Sequence, residues 1–309
     1  MKKHRGSTLF SDKKALLFYI CIVTLPCIQF FIFWVCANFN SFFLVFQRYD
    51  PLTDKFVWYG WGNLDRFWND LCNPNSMFRD ALYNSLIVYV LTTAIGGPVN
   101  MIFALYIAKK RVGGGIFKIL LFLPQILSSI VMCTLYKFFT DQAIPAMFYK
   151  MGFTEFPMLL TEQRTIMPVL IMYTFIFGYT NIIINISVIT RIPDSVLEYS
   201  TLDGITPMQE LIYITYPLTF PTVAIFFVMG IPGIFTNQLN IYNVFGASPP
   251  YPEVTSIGYF LFKKVAGSSG SLGEFPYAAA GGFMCTIVAV PLVFIGRHFT
   301  SKICRDIEF

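Results

Sequence analysis

Charge is the first thing this sequence has little of: Asp, Glu, Lys and Arg make up 13% of its 309 residues, against about a quarter in ordinary globular domains. That is too little polar side chain to coat a water-soluble globule. The net charge of +5 is small for so long a chain, and nucleic acid is not expected as a partner. Histidine occurs only as His4 and His298, both beside chain ends. The seven cysteines, Cys21, Cys27, Cys36, Cys72, Cys133, Cys285 and Cys304, contain no CxxC pair. They read as small apolar fillers, and no metal ligand is assigned. No GxxxxGK[ST] loop is present to cradle phosphates, so the chain has no nucleotide site of that kind. HExxH and GxSxG are missing as well, and no catalytic residue is assigned.

What the chain has instead is apolar: 55% of residues are hydrophobic and 18% aromatic, with a mean hydropathy of +0.61. Apolar stretches long enough to cross a bilayer occur at about 15–37, 82–108, 116–139, 167–190, 218–245 and 277–298. The first is longer than a secretory h-region and shows no convincing cleavage site, so it reads as a retained anchor. Lys2, Lys3, Arg5, Lys13 and Lys14 precede it; Lys109, Lys110, Arg111 and Lys118 lie after the second span; Arg297, Lys302 and Arg305 end the chain. Cytoplasmic loops collect Lys and Arg. The expectation is therefore an all-α integral membrane domain over 1–309 with six transmembrane helices and both termini cytoplasmic. Loops 38–81, 140–166 and 246–276 would then face outward. No Asp, Glu, Lys or Arg sits well inside any span, which argues against a self-powered ion-driven carrier.

The loop 191–217 breaks the charge pattern, holding Arg191 against Asp194, Glu198, Asp203 and Glu210. Local rules predict two short helices there. Ser195 with Glu198 reads as a capping box, and Asp194 suits the same helix start. Gly204 can end that helix in the left-handed conformation. Thr206 then caps the second helix, with Pro207 at its first position and Gln209 three residues after the cap. The first helix carries a partly apolar face suited to a groove on another protein.

Glu198, then Asp203-Gly204, then Ile214-Thr215-Tyr216-Pro217 at these spacings resemble the EAA signature of permeases in binding-protein-dependent ABC importers. The match departs at Tyr199 and Ser200, where the family prefers Ala, and at Tyr216, where it prefers Leu. Tyr49-Asp50-Pro51, Trp61-Gly62-Asn63-Leu64, Ala81 to Leu86, Phe122-Leu123-Pro124 and Tyr277 to Ala280 are similar to landmarks of the multi-sugar and complex-polysaccharide branch. The resemblance implies a carbohydrate permease of the bacterial cytoplasmic membrane that pairs with a second, homologous permease, two ATPase subunits and an external solute-binding protein. It implies that loop 191–217 is a cytoplasmic coupling helix between spans four and five, with Glu198, Tyr199, Ser200, Asp203, Gly204, Ile214 and Pro217 facing the ATPase. ATP and Mg would be bound by the ATPase subunits, with no cofactor in this chain. Contact with the binding protein is expected in 246–276, whose composition around 267–271 is that of a flexible loop.

For the solute path, Thr174, Gly178, Asn181 and Asn185 share one face of a continuous span-four helix. Amides suit sugar hydroxyls because they both donate and accept; equally, they suit interhelical contacts. In span five, Gly230, Gly233, Asn237 and Asn240 form a similar face, with Gln238 and Tyr242 nearby. Gly230-Ile231-Pro232-Gly233 would kink that helix, as a hinge or as a static bend. The same fold could import a sugar phosphate, amino acid or peptide; a self-sufficient channel or carrier is the remaining alternative.

Overall fold

The structure is a computed structural model that describes residues 13–153, 158–178, 181–266 and 272–303. Expectations for Lys2, Lys3, Arg5, Arg305 and the 267–271 run fall outside the described residues. In chain order the elements are α1 (Leu16–Leu44), β1 (Gln47–Asp50), β2 (Lys55–Trp58), α2 (Gly62–Cys72), α3 (Met77–Ala108), α4 (Gly114–Ile126), α5 (Ser129–Lys150), α6 (Gln163–Phe177), α7 (Ile182–Ile189), α8 (Asp194–Leu202), α9 (Pro207–Thr236), α10 (Ile241–Phe245), α11 (Ile257–Ala266) and α12 (Leu272–Ile303). Four helices, α1, α3, α9 and α12, are each long and apolar enough to cross a membrane; counting each bent pair, α4 with α5 and α6 with α7, as one span gives six.

The chain divides into two compact units, Met1–Phe67 with Leu272–Phe283, and Trp68–Ser271 with Met284–Phe309. In the first, the side chains described along α1 are almost all exposed, as a helix solvated by lipid tails requires. The expectation of an all-α chain needs correcting here, because β1 and β2 form an antiparallel hairpin with Gln47 opposite Trp58 and Asp50 opposite Lys55. Asp50 builds the turn: its carboxylate accepts from the Leu52 N–H at 3.1 Å and from the Thr53 hydroxyl at 2.9 Å, an Asx-type local bond that competes with helix. Asn63 is buried and donates through Nδ2 to the carbonyls of Val45 at 2.9 Å and Gln47 at 2.7 Å. Arg66 stacks over Tyr277 at 4.5 Å and pairs with Glu274 at 3.7 Å.

In the second unit, three expected spans are altered. The third is broken: α4 and α5 meet at 107°, since Leu127 is extended (ψ 149°) and Pro124 lacks a backbone donor. The fourth is bent by 41° between α6 and α7, so Thr174 and Asn185 sit on different helices. The fifth runs Pro207–Thr236 rather than 218–245. It starts early because the Thr206 cap begins the long helix itself, so the expected second short helix is only the first turn of α9. It ends early because Asn237 is extended and its side chain accepts from the Leu239 N–H at 2.9 Å, while Leu239 (φ 51°) and Asn240 (φ 56°) are left-handed. Asn237 and Asn240 therefore do not continue the face of Gly230 and Gly233. At Ile231-Pro232 the α-helical pattern is locally interrupted, as the missing proline donor requires.

The described part of loop 246–276 is not free either. Val254 to Tyr259 are buried, held by two side chains of α3 and by a bond from Ser256 to the end of α9. Asn84 donates to the carbonyls of Glu253 and Thr255, each at 2.9 Å; Ser85 accepts from the Ile257 N–H at 3.0 Å; Ser256 donates to the Asn237 carbonyl at 2.8 Å. Tyr259 donates to the Gly246 carbonyl at 2.9 Å, and burial pushes its phenol up to about 12, so it stays a donor at all physiological pH.

Asn63→Ala removes both carbonyl contacts, the one to Val45 buried and the one to Gln47 part-buried, at a cost of about 1–3 kcal/mol. Amide exchange across 47–58 should then accelerate; unchanged exchange would show that Asn63 does not hold the hairpin.

Candidate functional site

Two features of the second unit have the makings of a site. The first is the corner between α8 and α9. Helix α8 begins at Asp194, which puts Ser195 inside the first turn rather than at the expected capping position. Its other end matches expectation. Gly204 is left-handed (φ 70°), and the Ile205 N–H reaches back to the Ser200 carbonyl at 3.3 Å, the 6→1 bond of a Schellman ending. Any side chain at 204 would be strained there. Two residues on, Thr206 Oγ1 accepts from the Gln209 N–H at 3.3 Å while the Thr206 N–H donates to Gln209 Oε1 at 2.8 Å, so the expected capping box is present.

This corner fixes how α8 presents itself. Ser200 is buried and donates to the Leu197 carbonyl at 2.7 Å. Glu198 and Asp203 are exposed. Tyr199 and Leu202 are 71% and 81% exposed, a large apolar area for a polar loop. Met208 and Tyr213, on the first turns of α9, are exposed beside them in sequence. Ile214 is half-buried and Pro217 exposed, both within α9 rather than in a loop. Exposed apolar side chains close in sequence to exposed carboxylates make this corner a candidate contact surface.

The second feature is a cavity of about 900 Å³ lined by α3, α6, α7, α9 and the end of α12. Of the residues expected on the solute path, Thr174, Asn181, Asn185 and Asn237 line it; Gln238, Asn240 and Tyr242 do not. Asn240 instead accepts from Asn243 at 2.9 Å, and Tyr242 packs edge-on against Phe262. The bend between α6 and α7 does not remove Asn181 and Asn185 from the lining. Asn185 is buried and donates to Asn100 Oδ1 at 3.3 Å, while its own Oδ1 has no hydrogen-bond partner among the described residues.

Sequence reasoning missed the α3 wall: Ser85, Tyr89, Thr92, Thr93, Gly96 and Asn100 all face the cavity. Their spacing of three and four residues is a helical face, a signal as regular as the one read in span four. A π-helical segment, Thr92–Gly96, lies within this wall, a distortion common at functional sites. Opposite it, Gly230 allows close approach: a Cβ there would come to 3.0 Å from the Tyr89 ring, whose hydroxyl donates to the Phe227 carbonyl at 3.2 Å. None of the lining residues is Asp, Glu, Lys, Arg or His. The surface can exchange hydrogen bonds with an uncharged polar solute and offers no counter-ion to a charged one.

Residues 96–303 match the family described as the binding-protein-dependent transport system inner membrane component, a range that takes in α8, α9 and the cavity lining from Gly96 onward. The chain belongs to that family. This permease is 23% identical over 242 residues to the lactose transport system permease protein LacF of Rhizobium radiobacter, covering 76% of this chain and 78% of the relative. It is 23% identical over 240 residues to the multiple sugar-binding transport system permease protein MsmF of Streptococcus mutans, covering 77% and 80%. To the sn-glycerol-3-phosphate transport system permease protein UgpA of Yersinia pseudotuberculosis it is 21% identical over 262 residues, covering 81% and 87%. Its fold is similar to a chain of a bacterial ABC transporter involved in the import of the acidic polysaccharide alginate, with a TM-score of 0.76 and 20% identity over 94% of this chain and 96% of that one. As a family member this permease is a multi-pass membrane transport subunit and not an enzyme.

Gly204→Val forces a β-branched residue into a left-handed conformation and should destabilise the α8 ending by about 1–2 kcal/mol. Proteolytic cleavage at 203–206 should quicken in the purified permease; an unchanged rate would remove the turn from this account.

Proposed function

We propose that this chain is one permease half of an ATP-driven ABC importer for a carbohydrate, an oligosaccharide or related glycan, working by alternating access with a second, homologous permease. In this reading the chain crosses the bacterial cytoplasmic membrane six times with both termini inside, and α8 is the cytoplasmic coupling helix. Two ATPase subunits bind ATP and Mg; this chain supplies Glu198, Tyr199, Asp203 and Gly204 to their contact, while the expected Ser200 is buried on the Leu197 carbonyl and supports α8 from beneath, and Ile214 and Pro217 shape the base of α9. An external solute-binding protein delivers cargo on the opposite side and meets the segment 246–276.

The observation that carries the proposal is that one helix, α9, begins at the exposed α8 corner and continues as a wall of an uncharged, largely apolar cavity studded with amides and hydroxyls. A push on α8 has a direct route to the solute surface. Family membership supports the importer reading, and the names of LacF and MsmF support a sugar. An anionic cargo, of the kind named for UgpA and for the alginate transporter, finds no cation in this lining. Thr174, Asn181, Asn185 and Asn237 are the residues proposed to touch the solute, with the α3 wall facing them.

Glu198→Lys should abolish coupling: in vesicles holding the complete transporter, ATP hydrolysis stimulated by loaded binding protein should fall at least about tenfold, as a like-charge clash of a kcal/mol or more at an interface requires. Expression of the chain should be unchanged. Normal stimulation in that variant would contradict α8 as the coupling element. Loading the binding protein from a panel of neutral oligosaccharides and, separately, glycerol phosphate tests the cargo class; stimulation by the phosphate alone would overturn the neutral glycan.

A further inference from the structure

Lys109 caps the end of α3, where the helix dipole favours a cation. Glu210 lies in the first turn of α9, where the dipole favours an anion. The two meet as an ion pair across 101 residues of sequence. The Glu210 side chain is 7% exposed and that of Lys109 26%. The second carboxylate oxygen of Glu210, Oε1, is buried with no hydrogen-bond partner among the described residues. Lys109 is thus the cation that compensates a buried charge, and losing it would leave that charge unpaired.

The location of the pair matters more than its strength. Glu210 follows directly on the Gly204 turn and the Thr206 capping box, the corner through which any displacement of α8 enters α9. From there α9 lines the cavity with Tyr216 and Phe220, and α3 lines it with Tyr89 and Thr92. Near this end, Met101 of α3 is buried against the same helix, with Thr219 Oγ1 at 3.9 Å from its sulfur, a soft contact that permits sliding. The ion pair is directional and does not permit sliding without leaving Glu210 uncompensated.

We propose that Lys109 and Glu210 form a positioning pair that makes α3 follow α9 when α8 is displaced, so that two walls of the cavity move in one stroke. This rests on α8 being the coupling helix. Farther along, the Tyr89 hydroxyl of α3 also donates to the Phe227 carbonyl of α9 at 3.2 Å, a bond between uncharged groups; without the ion pair α9 would still respond to the ATPase and α3 would lag.

The test uses the complete transporter in vesicles, with its native cysteines replaced and one cysteine returned at Thr92 or at Phe220. Labelling by a small water-soluble maleimide is compared without nucleotide and after trapping with Mg–ATP and vanadate. With Lys109 and Glu210 intact, both positions should change their labelling rate several-fold. Glu210→Gln, which keeps the side-chain shape, should preserve the change at 220 and abolish it at 92, and K109E/E210K should restore it at 92. A full response at 92 in Glu210→Gln, or no recovery in the charge swap, would overturn the proposal. So would failure of Glu210→Gln to assemble, since the pair would then serve the fold rather than the stroke. No response at either position with the pair intact would overturn the importer reading itself, and this inference with it.

Discussion

The left-handed turn at Gly204, closed by the Thr206 capping box, is the joint on which the functional account depends. A helix that ends and another that begins with four residues between them leave several backbone groups without helical partners. Here the Ser200 carbonyl, the Gln209 N–H and the Thr206 N–H are all satisfied inside the corner. Each side of the corner is therefore closed by its own bonds, with the short Ile205-Thr206 link between them, so a displacement of α8 reaches the start of α9 over a short path. A flexible linker in the same place would let α8 rock on its own.

That closed corner contrasts with the interrupted helices further along. π-helical segments interrupt α9 at Leu211–Thr215 and α3 at Thr92–Gly96, and Ile231-Pro232 interrupts α9 again where Gly230 meets Tyr89. Each interruption costs regular hydrogen bonds in a helix that lipid cannot satisfy, so each has to be covered by neighbouring protein or face a wet cavity. Thr92 Oγ1 covers one such site by donating to the Val88 carbonyl at 2.7 Å. Two helices that line the cavity, α3 and α9, thus carry such distortions, while α8 is closed at its end by the Gly204 turn.

Much of this was legible in the sequence wherever the cause is local. Gly204, Thr206, Pro207 and Gln209 announce the corner because capping is a matter of a few adjacent residues, and the apolar stretches announce the long helices because length is set by the bilayer. What stayed hidden was set at a distance or by an unusual backbone. Asn237, Leu239 and Asn240 end α9 with left-handed residues that are not glycine, so nothing in the pattern marked the stop. The segment after Gly246 reads as a loop by composition, yet Asn84 holds it from 169 residues away. Asp50 stood out in the sequence only as part of the Tyr49-Asp50-Pro51 resemblance and is the pivot of a β-hairpin. Thr174, Asn181, Asn185 and Asn237 line the cavity although the bend after α6 and the end of α9 break the helical faces on which the sequence grouped them, while the α3 face escaped notice because Ser85, Thr92 and Asn100 are scattered among apolar neighbours.

The central claim is that this permease moves solute only as part of a larger, ATP-powered assembly, and mild purification from the native membrane tests it most directly. Mass spectrometry of the material that accompanies the tagged chain should find a second six-span permease and an ATPase bearing a phosphate-binding Gly-rich loop, with a solute-binding protein joining when its sugar is present. Recovery of the chain alone, with uptake persisting in vesicles free of ATP, would contradict the account and make the chain a self-sufficient carrier.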